Sequence, residues 1–360
     1  MCAAVAVAVA GAAVLAALSI RDWRVSALVR MSAAEPMATI AHDADPDFAF
    51  VDTQAHYDGV YFYAIATDPL ARGDAHTKID KPAYRYGHAG LGWLAWLASG
   101  GRTSAVPGAL LAIGLAGTAL AAYGFSLLGR QLGWTPWAGL IVAFSPGIIY
   151  AVTADTSEPI AVAALAFALL GWLRGRYGWA AVALAAGCFI KEPLILVPVG
   201  LGAWTLVEAL RGRREGFWAR ASLLVIGPLL YAGWYAYLRG RFGVWPSKQA
   251  TDELLSFPLS GWIDSLKRAA SLANQGFENM QIGNASVAFI VAIGALLLIG
   301  VVLSLRLTDP IAPVFILLAV LAFSLNWLGV LYPKDLLRET APAMTLLPFV
   351  FFARKPEPAE

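Results

Sequence analysis

The residue of this chain best placed to do chemistry is an aspartate among aromatic side chains. Asp58 stands near the start of His56-Tyr57-Asp58-Gly59-Val60-Tyr61-Phe62-Tyr63-Ala64-Ile65-Ala66. Tyr61, Phe62 and Ile65 follow Asp58 at the spacing of one helix face, so the segment predicts a short amphipathic helix with Asp58 in its first turn. A carboxylate in this position can act as a general base. It can equally satisfy the free N–H groups at the start of the helix.

Three basic residues are candidates for binding a phosphate. Arg85 lies between tyrosines in Pro82-Ala83-Tyr84-Arg85-Tyr86-Gly87-His88, and Arg338 ends Lys334-Asp335-Leu336-Leu337-Arg338. Each arginine can hold a phosphate or simply anchor its segment at the membrane surface. Lys191-Glu192-Pro193 interrupts an apolar run, and charges placed there are costly enough to suggest function. The alternative is a tight turn with a local Lys191–Glu192 ion pair.

Acidic residues are also concentrated at two further places. In Asp155-Thr156-Ser157-Glu158-Pro159, the two carboxylates precede an apolar run, where Ser157 or Thr156 can instead act as a helix cap. The stretch His42-Asp43-Ala44-Asp45-Pro46-Asp47 is rich in oxygen ligands, but its spacing matches no specific metal motif. The sequence therefore predicts no metal ligands.

The composition places these residues in an integral membrane protein. Hydrophobic side chains make up 59% of the 360 residues and charged ones 14%, whereas soluble domains are typically about 45–50% apolar and about 25% charged. The mean hydropathy is +0.65. The 13 Trp, 12 Tyr and 17 Phe argue against disorder, and a net charge of +2 argues against nucleic-acid binding. Neither cysteine implies a disulfide framework, because both lie in apolar stretches.

The apolar runs predict about ten transmembrane helices in a single polytopic domain over 1–360. These runs are 2–20, 105–128, 136–153, 158–173, 179–190, 194–210, 221–238, 286–305, 311–331 and 341–353. The short loops on one side hold ten basic residues and those on the other side three, which places both termini in the cytoplasm. The first run can alternatively be a cleaved signal peptide.

Two long segments, 21–104 and 239–285, then fall on the outer side. The first holds all four histidines, and eight of the 24 acidic residues lie in it between Asp43 and Asp80. Loops of this length are usually functional or disordered, and the aromatic residues around Asp58 favour an ordered, helical loop lying in the membrane interface. In the second, Trp262-Ile263-Asp264-Ser265-Leu266-Lys267-Arg268 predicts an amphipathic helix at that interface.

Two stretches of the first loop resemble a known family. Tyr57-Asp58-Gly59-Val60-Tyr61-Phe62-Tyr63-Ala64-Ile65-Ala66 resembles the Trp-Asp-x-x-x-Tyr-x-x-Ile-Ala segment of PIG-V-like mannosyltransferases, and Pro82 to Trp96 resembles the aromatic-Pro-x-x-Pro-Leu stretch that follows it. The chain departs from that pattern at Tyr57, which replaces tryptophan, and at Gly90 and Gly92, where prolines are expected. The topology of the whole chain resembles the broader GT-C glycosyltransferases, whereas the motifs cover only about 52–96.

The resemblance implies an enzyme that transfers a sugar, such as the hexose mannose, from a polyprenyl-phosphate donor. The acceptor would be a lipid, glycan or protein at the outer face of a bacterial plasma membrane. Asp58 would be the base and Arg338, Arg85 and Lys191 the donor-phosphate contacts. The acceptor-side or supporting residues would be Tyr57, Tyr61, His56, His88, Asp155, Glu158 and Glu192. Some GT-C enzymes use a divalent metal, but no cofactor is predicted here beyond the lipid-linked donor.

Two other functions remain compatible with the residues. A transporter or flippase of a lipid-linked saccharide would place polar residues on broken helices at mid-membrane. An O-acyltransferase or ligase would use His56 or His88, although the sequence offers no recognisable serine or second-histidine partner. The candidates cluster at the predicted outer ends of the helices, which favours the glycosyltransferase.

Overall fold

A computed structural model describes residues 1–275, 277–306 and 309–352, and within these ranges it contains helices but no β-strand. The all-α prediction is therefore confirmed. The α-helices are α1 Cys2–Ser19, α2 Ala38–Ala44, α3 Gly59–Thr67, α4 Pro82–Arg85, α5 Gly90–Ala98, α6 Val106–Gln131, α7 Leu140–Ala143, α8 Pro146–Val152, α9 Glu158–Leu173, α10 Tyr177–Ile190, α11 Leu196–Leu210, α12 Phe217–Phe242, α13 Pro246–Leu254, α14 Ser260–Leu272, α15 Phe277–Ser304, α16 Ile311–Phe323, α17 Trp327–Val330, α18 Pro333–Glu339 and α19 Ala341–Phe352. Short 3-10 turns cover Val25–Val29, Thr53–Ala55, Ala75–Lys78, Tyr86–His88, Thr103–Ala105, Pro136–Gly139 and Glu192–Ile195.

Five helical segments are long and apolar enough to cross a membrane. They are Cys2–Ser19, Thr103–Gln131, Glu192–Leu210, Phe217–Phe242 and Met280–Ser304. Four shorter apolar helices, α9, α10, α16 and α19, correspond to further predicted runs. The structure thus supports a membrane protein with five candidate spans, and the count of ten remains a prediction.

Two of the predicted runs are not continuous helices. The run 136–153 is divided between a 3-10 turn, α7 and α8, with a break at Phe144 and Ser145. Pro146 explains the restart, because proline lacks an N–H and fits the first turn of a helix but not its interior. The run 311–331 ends as a helix at Phe323, and α17 begins only after Asn326, whose side chain accepts from the N–H of Trp327.

The two predicted runs 179–190 and 194–210 do form two separate helices. Helix α10 ends before Lys191, which is extended, and Pro193 lies in the 3-10 turn that leads into α11. The turn follows from sequence, since a proline disfavours helical backbone in the residue before it. It brings Lys191 and Glu192 to the junction of two apolar helices.

The first long loop is helical, as predicted, but α3 is not amphipathic. All residues from Gly59 to Ala66 are buried, so α3 has no exposed polar face. It packs between α5 and α6, against a cluster that includes Met31, Met37 and Phe48. Protein covers the face of Tyr61 and Ile65 and the opposite face as well, and the position of α3 at the membrane interface stays a prediction.

Hydrogen bonds hold the middle of this loop against the end of α12. The Asp68 carboxylate lies 2.9 Å from Nδ1 of His76, and Nε2 of His76 lies 3.1 Å from Nη2 of Arg241. Nε of Arg241 also donates to the carbonyl of Ala71 at 2.6 Å. The hydroxyl of Tyr237 donates to the carbonyl of Leu70 at 2.7 Å. These bonds fix the segment that leads into α4 and Arg85.

The second long loop contains two helices. Residues 239–285 begin within α12, so the loop proper is shorter than predicted. Helix α14 covers the predicted amphipathic segment and packs against α15 and α17, with Trp262 donating to the carbonyl of Ala322 at 2.9 Å. Helix α13 contacts α4, where Gln249 accepts from the N–H of Tyr84 at 3.2 Å.

Two glycines allow the backbones around the candidate site to approach closely. A Cβ on Gly59 would lie 2.6 Å from the carbonyl oxygen of Val29 and 2.9 Å from that of Ala154. A Cβ on Gly147 in α8 would collide with the carbonyl oxygen of Leu337 in α18. Backbone atoms cannot move aside as a flexible side chain can. Gly59 therefore fixes the position of Asp58, which precedes it, and Gly147 fixes the position of Arg338, whose backbone it faces.

We expect Gly147→Ala to destabilise the protein by about 1–3 kcal/mol, the usual cost of forcing an added carbon into a packed interior. Thermal unfolding in lipid or detergent measures this. Gly108→Ala in α6 is the matched control, because no atom lies within 4 Å of its Cβ position, and the change should be neutral or stabilising. Equal unfolding temperatures for wild type and Gly147→Ala would contradict the close approach of α8 and α18.

Candidate functional site

The carboxylate of Asp58 lies between two arginines from distant parts of the chain. Its Oδ2 is 2.7 Å from Nη1 of Arg338, and its Oδ1 is 3.5 Å from Nη1 of Arg85. Asp58 precedes α3 directly, yet its side chain makes no capping hydrogen bond. The capping interpretation is therefore wrong, and the carboxylate is instead the counter-ion of two guanidinium groups.

Behind Asp58, Arg338 and Lys191 share two carboxylates, those of Glu158 and Glu339. Nη1 of Arg338 is 3.6 Å from Oε1 of Glu158, and Nη2 is 3.0 Å from Oε1 of Glu339. Nζ of Lys191 is 2.6 Å from the same Glu158 oxygen and 3.2 Å from Oε2 of Glu339. Asp58, Glu158 and Glu339 thus face two cations. Removing each of these charges from water costs free energy, and only pairing with an opposite charge offsets that cost.

This network settles two of the alternatives left open by the sequence. Arg338 is not a surface anchor, because its side chain is only 11% exposed and it is ion-paired on three sides. Lys191 does not form the local ion pair with Glu192 that a tight turn suggested. Glu192 instead accepts a short hydrogen bond from the hydroxyl of Tyr235 and lies 3.9 Å from Nδ1 of His88.

Arg85 is also held in place rather than anchored in lipid. Its guanidinium carbon lies 3.5 Å from the centre of the Tyr61 ring, a cation–π contact. Its Nε is 3.2 Å from Oδ1 of Asp80. Tyr84 lies on its other side, with the guanidinium carbon 5.3 Å from that ring centre. Tyr61 and Asp80 therefore orient Arg85 towards Oδ1 of Asp58.

On the Arg338 side, Tyr57 is surrounded by charged groups. Its hydroxyl donates a short hydrogen bond to Asp335. Nζ of Lys334 is 4.2 Å from the centre of the Tyr57 ring, and the guanidinium carbons of Arg338 and Arg30 are 4.9 and 5.8 Å from it. Three cations thus converge on one tyrosine ring, while Asp335 is its direct hydrogen-bond partner.

Two further predicted residues lie around this cluster. His56 bonds through Nδ1 to Oε1 of Glu35 at 2.6 Å, and its Nε2 is 3.4 Å from the hydroxyl of Tyr61. Asp155 is 3% exposed, and neither of its carboxylate oxygens has a hydrogen-bond partner among the described residues. Burial raises the pKa of Asp155 well above its usual value, against a smaller lowering by Arg30.

The pKa of Asp58 is shifted in the opposite direction from that of Asp155. Burial alone would raise its pKa, but Arg338 and Arg85 together outweigh burial and hold the pKa well below its usual range. The group is therefore an anion at every physiological pH. In this arrangement it is a weak base, because its negative charge is stabilised by two guanidinium groups.

The structure brings together most of the predicted site residues and adds several that sequence reasoning missed. Glu339 is the clearest omission, since it joins Lys191 to Arg338 and follows Arg338 directly in the sequence. Asp80, Tyr235 and Arg30 were also missed. Tyr231 and Tyr235 had a detectable signal, as two hydroxyls four residues apart in an apolar run. Arg30 had none, because its neighbours are far away in sequence.

No group of three or more His, Cys, Asp or Glu side chains able to hold a metal ion occurs in the described part of the chain. Metal independence remains a prediction. No protein-family model matches the chain, and no curated protein matches it. The function must therefore be argued from the geometry.

The low pKa of Asp58 predicts how its contribution to stability depends on pH. A carboxylate whose pKa is lower in the folded state stabilises the fold above its unfolded pKa, about 3.9, and loses that contribution as pH falls further. Wild type should therefore unfold at a higher temperature than Asp58→Asn by a constant margin between pH 5 and 8. The margin should shrink below about pH 4.

Thermal unfolding of the two proteins across this range isolates Asp58, since their other carboxylates titrate alike. A margin that instead grows as pH falls from 7 to 6 would show that the pKa of Asp58 is raised and not lowered, because protonation would then stabilise the folded state. It would also show that the ion pairs with Arg338 and Arg85 do not persist.

Proposed function

We propose that the chain is a membrane glycosyltransferase that transfers a sugar, such as a hexose, from a polyprenyl-phosphate donor to a lipid, glycan or protein acceptor. One observation carries the proposal. Asp58, Arg85, Glu158, Lys191 and Arg338 come from five separate segments and meet in one ion-pair network. A carboxylate flanked by cations is what sugar transfer from a phosphate requires.

The chemistry is a displacement at the anomeric carbon, which carries positive charge in the transition state. The acceptor hydroxyl forms a bond to that carbon and gives its proton to Asp58. The bond from the carbon to the phosphate oxygen breaks, and polyprenyl phosphate leaves with the bonding electrons. Because phosphate is already a stable leaving group, a base and nearby cations contribute more than a general acid.

The pairing of Asp58 with Arg338 supports an order of events. A donor phosphate that engages Arg338 competes with Oδ2 of Asp58 for the same guanidinium. Losing that partner raises the pKa of Asp58, since Arg338 is the stronger of its two lowering influences. Asp58 then becomes a better base only once the donor is present. Arg85, stacked on Tyr61, keeps the carboxylate oriented.

The location of the network favours an enzyme over a transporter. Glu158 is the first residue of α9, Lys191 lies between α10 and α11, and Arg338 lies in the short helix α18 before α19. These are helix ends and not mid-helix positions. The distribution of basic loops supports placing this end at the outer face of the membrane, with both termini in the cytoplasm, and we propose a bacterial plasma membrane.

Asp58→Asn should lower transfer by about a hundredfold to ten-thousandfold, the usual contribution of a general base. Its shape is retained and only its basicity is lost, so donor affinity should change little. The assay uses purified protein in lipid, a panel of radiolabelled polyprenyl-phosphate sugars and a crude membrane acceptor. The control is Asp74→Asn, an exposed aspartate of the same loop. Equal donor consumption by wild type and Asp58→Asn would remove Asp58 from the mechanism, and no turnover by folded wild type would favour a transporter.

Arg338→Ala should mainly weaken donor binding, raising the donor KM by about tenfold to a hundredfold, as expected for loss of a charge-assisted hydrogen bond. Because Arg338 also neutralises Glu158 and Glu339, Arg338→Lys is a second variant that keeps the charge but loses the two-pronged geometry. It should fold normally and show an intermediate KM. Arg130→Ala, at an exposed position at the other end of α6, is the control. An unchanged donor KM in both Arg338 variants would exclude a phosphate contact.

A further inference from the structure

Arg30 and Lys334 are cations whose charges are only partly compensated. Among the described residues Arg30 forms no ion pair, and its Nε is buried without a hydrogen-bond partner. Its Nη1 donates to the hydroxyl of Tyr150 at 2.7 Å. The carboxyl of Asp155 interacts electrostatically with Arg30 but makes no hydrogen bond to it. Lys334 has one acidic partner, Asp335, at 3.6 Å.

The two cations frame a pair of aromatic rings beside Arg338. Tyr57 and Tyr150 meet edge to face with their centres 5.3 Å apart. The guanidinium carbon of Arg30 is 4.8 Å from the centre of the Tyr150 ring, and Nζ of Lys334 is 6.0 Å from it. The cluster opens to solvent at Lys334, whose side chain is 43% exposed. It is therefore accessible to a ligand.

Like charges in this cluster repel one another. Burial lowers the pKa of Lys334, and the charges of Arg338 and Arg30 lower it further against the opposing influence of Asp335. Arg21, at the end of α1, has its pKa lowered by burial and then by Arg30. Positive charge thus extends from the end of α1 through Arg30 and Lys334 to Arg338. Such repulsion is relieved when an anion binds between the cations.

The network behind Asp58 cannot supply this anion site alone. Arg338 and Lys191 already face the carboxylates of Asp58, Glu158 and Glu339. A phosphate added there would have to displace one of these carboxylates. A phosphate that leaves with the bonding electrons of a sugar gains further negative charge, so additional cations with fewer carboxylate partners, such as Arg30 and Lys334, would stabilise it.

We propose that Arg30 and Lys334, around the rings of Tyr57 and Tyr150, form a phosphate subsite that holds the phosphate monoester of a lipid-linked donor or product next to Arg338. The subsite rests on the proposed function for its place in the reaction, but its ligand chemistry can be tested without turnover. It divides the site: the phosphate lies on the Tyr57 side of Asp58, and the acceptor lies on the Arg85 and His88 side.

The test measures binding of radiolabelled polyprenyl phosphate to the full-length protein in nanodiscs of neutral lipid. Lys334→Gln and Arg30→Gln should each weaken the affinity by about tenfold, as loss of a charge-assisted contact does. Lys334→Arg should retain the wild-type affinity, because it keeps the positive charge. Arg72→Gln is the control, an exposed arginine of the first loop whose side chain is outside the site. Because Arg30 donates a hydrogen bond to Tyr150, unfolding temperatures are measured for all variants. If Arg30→Gln does not fold, the variants of the exposed Lys334 alone test the subsite.

Competition identifies the source of the phosphate. Inorganic phosphate should displace the ligand weakly, and less so in Lys334→Gln, whereas phosphatidylglycerol should displace it far less well than unlabelled polyprenyl phosphate. Unchanged affinity in Lys334→Gln would overturn the subsite, and equal competition by phosphatidylglycerol would overturn its assignment to a phosphate monoester. If wild type transfers no sugar but Lys334→Gln still loses affinity, the glycosyltransferase proposal fails while the subsite stands.

Discussion

The arrangement of the whole site depends on one buried carboxylate, that of Glu158. Its side chain is 1% exposed at the start of an apolar helix, where an unpaired charge would cost several kcal/mol. Lys191 and Arg338 neutralise it, and each of them comes from a different helix junction. The pairing therefore ties α9 to the turn between α10 and α11 and to α18. Glu339 and Asp58 complete the charge balance and bring the first loop into the same cluster.

Close backbone contacts give this network its fixed geometry. Gly147 lets α8 approach α18 at Leu337, beside Arg338, and Gly59 lets α3 approach Val29 and Ala154. The break in the apolar run 136–153 is part of the same arrangement, because it turns α8 so that Tyr150 reaches Arg30. What looked from sequence like an ordinary span is instead two short helices, the second of which supports Arg30 through Tyr150.

The sequence was most informative where the physical signal is local. Lys191, Glu192 and Pro193 correctly predicted a helix break, and the aromatic pattern after Asp58 correctly predicted a helix. Apolar runs cannot distinguish lipid contact from protein contact, which is why α3 was predicted to be amphipathic although both of its faces are buried. Ion pairing between segments is equally invisible in one sequence. A local pair of Lys191 with Glu192 was one alternative because the two are adjacent in the chain, whereas the partners of Lys191 are Glu158, 33 residues before it, and Glu339 in α18.

Asp58 separates two chemically different environments, and this asymmetry limits how a substrate can lie. Arg85 is fixed by Asp80 and by the face of Tyr61, so it has little freedom to follow a ligand. Glu192, His88 and Tyr235 beyond it offer neutral and acidic hydrogen-bonding groups suited to sugar or alcohol hydroxyls. On the other side, Arg30 and Lys334 add positive charge to Arg338, with Asp335 as the one acidic partner of Lys334. Under the proposed function, a substrate with an anion at one end and hydroxyls at the other would therefore lie in one orientation, with its reacting carbon at Asp58.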